Sequence, residues 1–389
     1  MTAIAGLEVL LREPLEVVRG RRIGLVTNPA AVDREVRLSI DRLWEASGGA
    51  WHLTRLFGPE HGVRGDHVAG GVVPDSVDPM TGLPVSSLYG ATRKPTAEML
   101  ADVDVLMVDL QDVGVRFYTY QVTAANCLEA GAEHGRPVVV LDRPNPIGGV
   151  AVEGPPVEPG FESFVGRRGQ PIRHGLTMGE LARAVNEAEG IGADLTVVPI
   201  EGWGRGQWWD ETGLPWVLSS PNLPTLDTAT VYPGTCLLEG TLLSEGRGTT
   251  RPLEIVGAPW VEPYRWADTL NERGLPGVRF RPLWFQPVTS KYPGARCGGV
   301  QLHVADRQVF RPVATGIHVI ETARRLWPSE FGWRLPAPGA ARSVPHVDRL
   351  YGSAALRERL DAGDDAETII ASWDTNHFEA LRQRVLLYQ

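Results

Sequence analysis

The sequence predicts an α/β fold, a mostly parallel sheet covered by helices, followed by a smaller α+β domain. Three observations lead there. Short β-branched runs alternate with helical patterns through the first half of the chain. After about Trp216 the texture changes to proline-punctuated segments. The 389 residues also exceed the roughly 100–200 expected of one domain. The boundary is expected near Leu218, giving domains of residues 1–218 and 219–389.

Buried strands are expected over Arg22 to Thr27, His52 to Phe57, Val103 to Leu110, Pro137 to Leu141 and Leu195 to Ile200. The clearest helix is Thr177 to Glu189, where Thr177 caps, Glu180 reaches back in a capping box, and Leu181, Ala184 and Val185 share one face. Past the boundary, Gly299 to Val304 reads as a strand, Pro312 to Trp327 as a helix and Ala366 to Leu386 as a final helix. A parallel sheet built by right-handed crossovers binds ligands beyond the carboxyl ends of its strands. Polar residues gather there: Asn28 after the first strand, Glu60 and His61 after the second, Asp109 to Asp112 after the third, Asp142 to Asn145 after the fourth, and Glu201 to Arg205 after the fifth. A cleft is expected at that edge.

Composition excludes several classes. A net charge of -9 repels phosphate backbones, so nucleic acid is not an expected partner. No run of about 18 apolar residues suggests a membrane span, and Met1 to Arg12 lacks a secretory pattern, which points to the cytoplasm. Cys127, Cys236 and Cys297 lack metal-ligand spacing and read as reduced, buried thiols. Gly202-Trp203-Gly204-Arg205-Gly206 is not a dinucleotide fingerprint, and neither a P-loop nor a G-x-S-x-G elbow occurs, so no cofactor is expected. Glu60 and His61 with Asp66 and His67 could ligate a metal, yet no H-E-x-x-H or cysteine cluster supports one, and none is assigned.

The stretch FGPEHGVRGD from Phe57 sets an acid, an imidazole and a guanidinium on a turn pinned by glycine and proline, the stiff support a catalytic carboxyl needs. Glu60 is the candidate acid. His61 is either catalytic or a structural hydrogen-bond partner. The run DLQDVGVRFYTY from Asp109 interleaves Asp109, Gln111, Asp112, Arg116 and Tyr118, which suits hydroxyl recognition and ring stacking. Its plainer reading is a helix start with Asp112 and Arg116 paired at i,i+4. Asn145 and Asn222 each sit between prolines, as oriented amides or merely as stiff turns. Arg247 and Arg251, beside glycines, could grip a carboxylate, or could pair with Glu245. Among the tryptophans, Trp203, Trp208, Trp209 and Trp216 are core or, where exposed, stacking platforms.

Seven motifs recur in order over essentially the whole chain: FGPEHGVRGD, TGLPVSSLYG from Thr81, DLQDVGVRFYTY, LDRPNPIGG from Leu141, RHGLTMGELA from Arg173, SSPNLP from Ser219 and EGTLLSEGRGTTRP from Glu239. Together they resemble the bacterial exo-β-N-acetylmuramidases of the NamZ type. The resemblance implies a Rossmann-like domain joined to an auxiliary domain, with the site in the cleft between them. It implies a glycoside hydrolase that removes terminal N-acetylmuramic acid from the non-reducing ends of peptidoglycan fragments, with Glu60 as the acid. The second group is then Asp109, Asp112 or Glu245, or the substrate's own 2-acetamido group, oriented by an acid or by Tyr118. The lactyl carboxylate would meet Arg64, Arg116, Arg247 or Arg251, and Gln111, Asn145, His174 and Asn222 complete the substrate-binding set. Muropeptides are the implied partner. A non-catalytic muropeptide-binding protein is the second reading and a metal-dependent hydrolase the third. Family members are often exported, whereas this chain shows no signal.

Overall fold

The structure, a computed structural model, describes residues 2–68, 70–337 and 344–389. A seven-stranded sheet contains β1 (Arg22–Thr27), β2 (His52–Gly58), β3 (Ser76–Val77), β4 (Pro84–Ser87), β5 (Val105–Asp109), β6 (Val138–Leu141) and β7 (Leu195–Val198). Their order is β3-β4-β2-β1-β5-β6-β7, and only the β3 to β4 pairing is antiparallel. β5 and β6 are buried along their whole length and β1 in all but its first residue, as expected of parallel strands covered on both faces. The strand order reverses beside β1. That makes the gap between β1 and β5 the switch point where a crevice opens. Asn28 spans it: its Nδ2 donates to the Gln111 carbonyl at 3.1 Å and its Oδ1 accepts from Gln111 N at 3.2 Å.

A second, antiparallel sheet contains β8 (Ile255–Ala258), β9 (Val278–Phe285) and β10 (Cys297–Val304) in the order β8-β10-β9. Helix Pro263–Glu272 packs on it, and helix Pro312–Leu326 packs on that helix and on the helix Leu226–Thr235. One apolar interior runs from Val26 and Phe57 in the first sheet to Trp266, Val300 and Ile317 around the second. The loops at the carboxyl edge of the first sheet are therefore held against the second half by continuous packing.

The predicted capping box is present. Thr177 Oγ1 accepts from Glu180 N at 3.3 Å and Glu180 Oε2 accepts from Thr177 N at 3.0 Å, starting the helix Met178–Ala188. The single final helix is not. It is two, Ala366–Ala371 and Asn376–Val385. Between them Asp374 Oδ1 accepts from Asn376 N at 3.0 Å, a side-chain bond that competes with the helical ladder, while Trp373 donates to the Tyr351 hydroxyl at 2.9 Å. The last helix returns to the first half of the chain, packing Phe378, Leu381 and Val385 on Leu181 and Ala184 of the helix Met178–Ala188. Trp203, Trp208 and Trp209 are buried and Trp216 packs edge-on against Trp209, so these four rings are core and not stacking platforms. All three cysteines are free and buried. Among the described residues no helix is long and apolar enough to cross a membrane.

Candidate active site

β2 runs into a turn that fixes Glu60. Gly62 N donates to the Pro59 carbonyl at 2.9 Å, and His61 and Gly62 follow with φ of 72° and 75°. A histidine rarely adopts that left-handed backbone, so the turn is held by its surroundings. Gly62 is required as well, because a Cβ there would lie 2.9 Å from the His67 ring. Glu60 Oε2 accepts from Thr119 Oγ1 at 2.8 Å and its Oε1 from Gly70 N at 2.8 Å. The Tyr120 hydroxyl lies 3.2 Å from the Glu60 carbonyl and 3.0 Å from that of Ser219. Tyr89, beyond β4, completes this wall. Burial raises its phenol, and the Glu60 carboxylate beside it raises it further.

Glu60 opens into a cavity of about 710 Å3 whose lining also includes Tyr89, Thr119, Asn222, Glu239, Arg247 and His346. Glu239 comes from the turn Cys236–Gly240 that ends the helix Leu226–Thr235. Arg247 Nη2 donates to Glu239 Oε1 at 2.5 Å, and His346 Nε2 lies 3.3 Å from Oε2. Burial alone would raise the Glu239 carboxyl, but the Arg247 charge and the His346 contact outweigh it and hold it well below the usual carboxylate range. Behind them Arg247 approaches Glu245 at 3.4 Å, and Glu245 meets Lys291 Nζ at 2.9 Å. Among the described residues the cavity therefore holds one carboxyl bonded by neutral donors, Thr119 and Gly70, and one fixed as an anion.

Of the residues singled out from sequence, the cavity brings together Glu60, Asn222 and Arg247, with Glu245 directly behind. The others lie outside its lining, most of them engaged by other side chains or by backbone. His61 Nδ1 meets the His67 carbonyl at 3.1 Å. Arg64 grips Asp78 at 2.5 and 3.0 Å and Asp41 at 3.1 Å. Asp109 forms a fully buried pair with Arg143 at 2.5 and 2.9 Å. Asp112 accepts from Gly114 N at 2.7 Å and lies 3.7 Å from His174, whose Nδ1 accepts from Leu176 N at 3.1 Å. The chain is irregular until the helix that starts at Tyr120, so Asp112 and Arg116 form no i,i+4 helical pair.

Arg116 donates to the carbonyls of Pro155 (2.7 Å), Gln170 (2.6 Å) and Leu350 (2.6 Å), and burial pulls its guanidinium down to about 9. Gln111 Nε2 spans the Asp112 and Pro144 carbonyls. Asn145 Nδ2 donates to the Leu176 carbonyl at 2.9 Å. Tyr118 is packed edge-on against Tyr120 and Tyr232, and Arg251 pairs with Glu254 at 3.2 Å. The fifth polar loop turns away, Arg205 toward Glu180 and Glu201 toward Arg12. Polar groups crowded at a switch point must satisfy one another once buried, which is what most of these do.

Thr119, Tyr89, Glu239 and His346 are cavity residues that sequence reasoning passed over. Three had a signal: Tyr89 closes the TGLPVSSLYG motif, Glu239 opens EGTLLSEGRGTTRP, and Thr119 stands in the tyrosine-rich run. His346 has none. Among the described residues no group of three or more His, Cys, Asp or Glu converges as a metal site would require. His67 lies 3.6 Å from Asp66, apart from the cavity.

Residues 23–227 match the family model "Exo-beta-N-acetylmuramidase NamZ, N-terminal" and residues 230–388 match its C-terminal counterpart. The peptidoglycan beta-N-acetylmuramidase NamZ of Bacillus subtilis is 48% identical over 385 residues, covering 98% of this chain and 91% of that protein. Two crystal structures of DUF1343 family proteins from Bacteroides fragilis superpose over 100% of this chain and 99% of theirs. One has a TM-score of 0.90 at 39% identity and the other 0.78 at 29%. The chain therefore belongs to the exo-β-N-acetylmuramidase NamZ family.

Proposed function

We propose that this protein hydrolyses terminal β-linked N-acetylmuramic acid from the non-reducing ends of peptidoglycan fragments. Glu60 is the acid that protonates the leaving oxygen. The observation that carries this reading is the pairing in one cavity of Glu60, held by Thr119 and Gly70, with a second carboxylate, Glu239, kept ionised by Arg247 and His346. Glycoside hydrolysis asks for that division of labour, one proton donor and one group that meets the positive charge developing at the anomeric carbon. A carboxylate held so acidic is a poor base for water. Glu239 acts instead as a fixed negative charge and as an acceptor for the acetamido N–H, leaving the acetamido oxygen as the internal nucleophile. Arg247, only partly engaged by Glu239, keeps donors for the lactyl carboxylate.

The near-complete match to a curated peptidoglycan β-N-acetylmuramidase supports the substrate. The cleft then lies between a first lobe, residues 1–218, and a second, 219–389, and the substrates are muropeptides met in the cytoplasm. The deciding experiment is Glu60→Gln assayed on a chromogenic N-acetylmuramide and on the disaccharide of N-acetylmuramic acid and N-acetylglucosamine. On the disaccharide, whose sugar leaving group needs a proton, loss of about 10²–10⁴ in kcat is expected, with a smaller loss on the chromogenic substrate. Turnover of the disaccharide near wild type would remove Glu60 from the acid role. Wild-type protein that binds the disaccharide and releases no sugar would favour a muropeptide-binding protein.

A further inference from the structure

The cavity around Glu60 does not end at its rim. A second cavity of about 510 Å3 shares Tyr89, Thr119, Val165 and His346 with it. A third, of about 620 Å3, shares Arg93, Glu162, Ser163 and Phe164 with the second. A continuous trough therefore leads from the Glu60 carboxyl outward over residues 162–168. Ligand pockets of about 300–1,000 Å3 hold a whole drug-sized molecule, so three such compartments in a row exceed the needs of one sugar. An enzyme that removes a terminal unit keeps a single sugar on one side of the cut, and the rest of the chain must lie on the other.

The trough has the chemistry to hold that remainder. The Arg93 guanidinium lies 4.4 Å from the Tyr89 ring centroid and 4.0 Å from that of Phe164, a pre-ordered cation on an aromatic shelf. Farther out stands Arg168. Their neighbour Arg167 is engaged by Glu129 and Glu189, whereas neither Arg93 nor Arg168 has a carboxylate partner among the described residues. Two acids line the same stretch: Glu162 accepts from Gly160 N of its own loop at 2.7 Å, and Glu189 is held by Arg167. Planar cations left unpaired along an open groove match carboxylate ligands.

We propose that the trough is the channel for the leaving chain. It holds at least two further sugars, with Arg93 meeting a carboxylate of the next muramic residue and Arg168 following that residue outward. This rests on the muramidase reading. The carboxylate is that of the lactyl group or of an attached peptide, and the substrates distinguish them.

The test compares wild type, Arg93→Gln and Arg168→Ala on the chromogenic monosaccharide and on the alternating tetrasaccharide, with and without peptide. On the monosaccharide all three proteins should agree within about twofold, while Arg93→Gln lowers kcat/KM on the tetrasaccharide about tenfold and Arg168→Ala lowers it less. A defect already present on the peptide-free chain assigns the lactyl carboxylate, and one confined to the peptide-bearing chain assigns the peptide. Variants that process both tetrasaccharides like wild type would overturn the channel and leave the muramidase standing. A wild-type protein that cleaves neither substrate would overturn both. The exposed Arg168 keeps the test valid if the stacked Arg93 variant folds poorly.

Discussion

Thr119 donates its hydroxyl to Glu60 across 2.8 Å, tying the loop after β2 to the loop after β5. These two strands flank β1, so the bond crosses the switch point and sets the acid over the crevice. Thr119→Val keeps the side chain's shape and deletes the donor. It should lower kcat by about 10- to 100-fold, the worth of a hydrogen bond to a charged group, while Thr119→Ser stays close to wild type. Steady-state kinetics on the disaccharide decides the matter, and a fully active valine variant would show the hydroxyl to be idle.

The Arg247–Glu239 pair makes a prediction about pH. With Glu239 held below its ordinary range, its anion persists as the solution is acidified, and the stability it contributes is lost only as pH falls through that depressed value. Arg247→Met leaves the burial that raises the carboxyl and removes the charge that lowers it. The acid limb of kcat/KM should therefore move toward neutral pH in this variant, with activity recovering as pH rises. Superimposable profiles for variant and wild type would dismiss Glu239 as the ionised partner.

The stiff turn that sets Glu60 at the cavity was legible in the sequence because the signal is local: glycine and proline next to an acid fix a turn whatever lies around it. The alternation of strands and helices was legible for the same reason, since apolar runs such as Val138–Leu141 carry their burial in their own composition. Glu239 was not, because its character comes from Arg247 and from His346, 107 residues away. Asp109 looked catalytic at a strand's carboxyl end, yet its partner Arg143 stands 34 residues on and the pair neutralises itself. Position at the cleft edge is written in topology. Whether a polar side chain is already satisfied there is written in tertiary contacts.

Arg116 is a buried cation bonded, among the described residues, to three carbonyls, one of them Leu350 in the helix His346–Tyr351 that also carries His346. It clamps that helix to the first half of the chain. Arg116→Met strands three carbonyl acceptors and should destabilise the protein by about 3 kcal/mol. Because the same helix lines the cavity, KM should rise as well. Urea unfolding with parallel kinetics tests both, and a midpoint equal to wild type would show that the clamp bears no weight.

Asp142 opens the loop after β6 and sits in a closed polar nest. It accepts from the Tyr388 hydroxyl at 2.5 Å, the Thr177 hydroxyl at 2.7 Å and Gly179 N at 2.8 Å, fastening the chain's last residues to the first sheet. Burial penalises its charge more than these donors relieve it, so the carboxyl is raised from 3.8 to about 6. The folded state thus keeps a proton that the unfolded state has already released. The associated stability is fully present below about pH 4 and is lost as pH climbs through 6, by up to about 3 kcal/mol for a shift of this size. Asp142→Asn cannot titrate. Whatever it does to absolute stability through lost acceptors, its unfolding free energy should fall less between pH 4 and pH 7 than that of wild type. Urea melts at four pH values give the two slopes, and parallel curves would mean that Asp142 is ionised throughout.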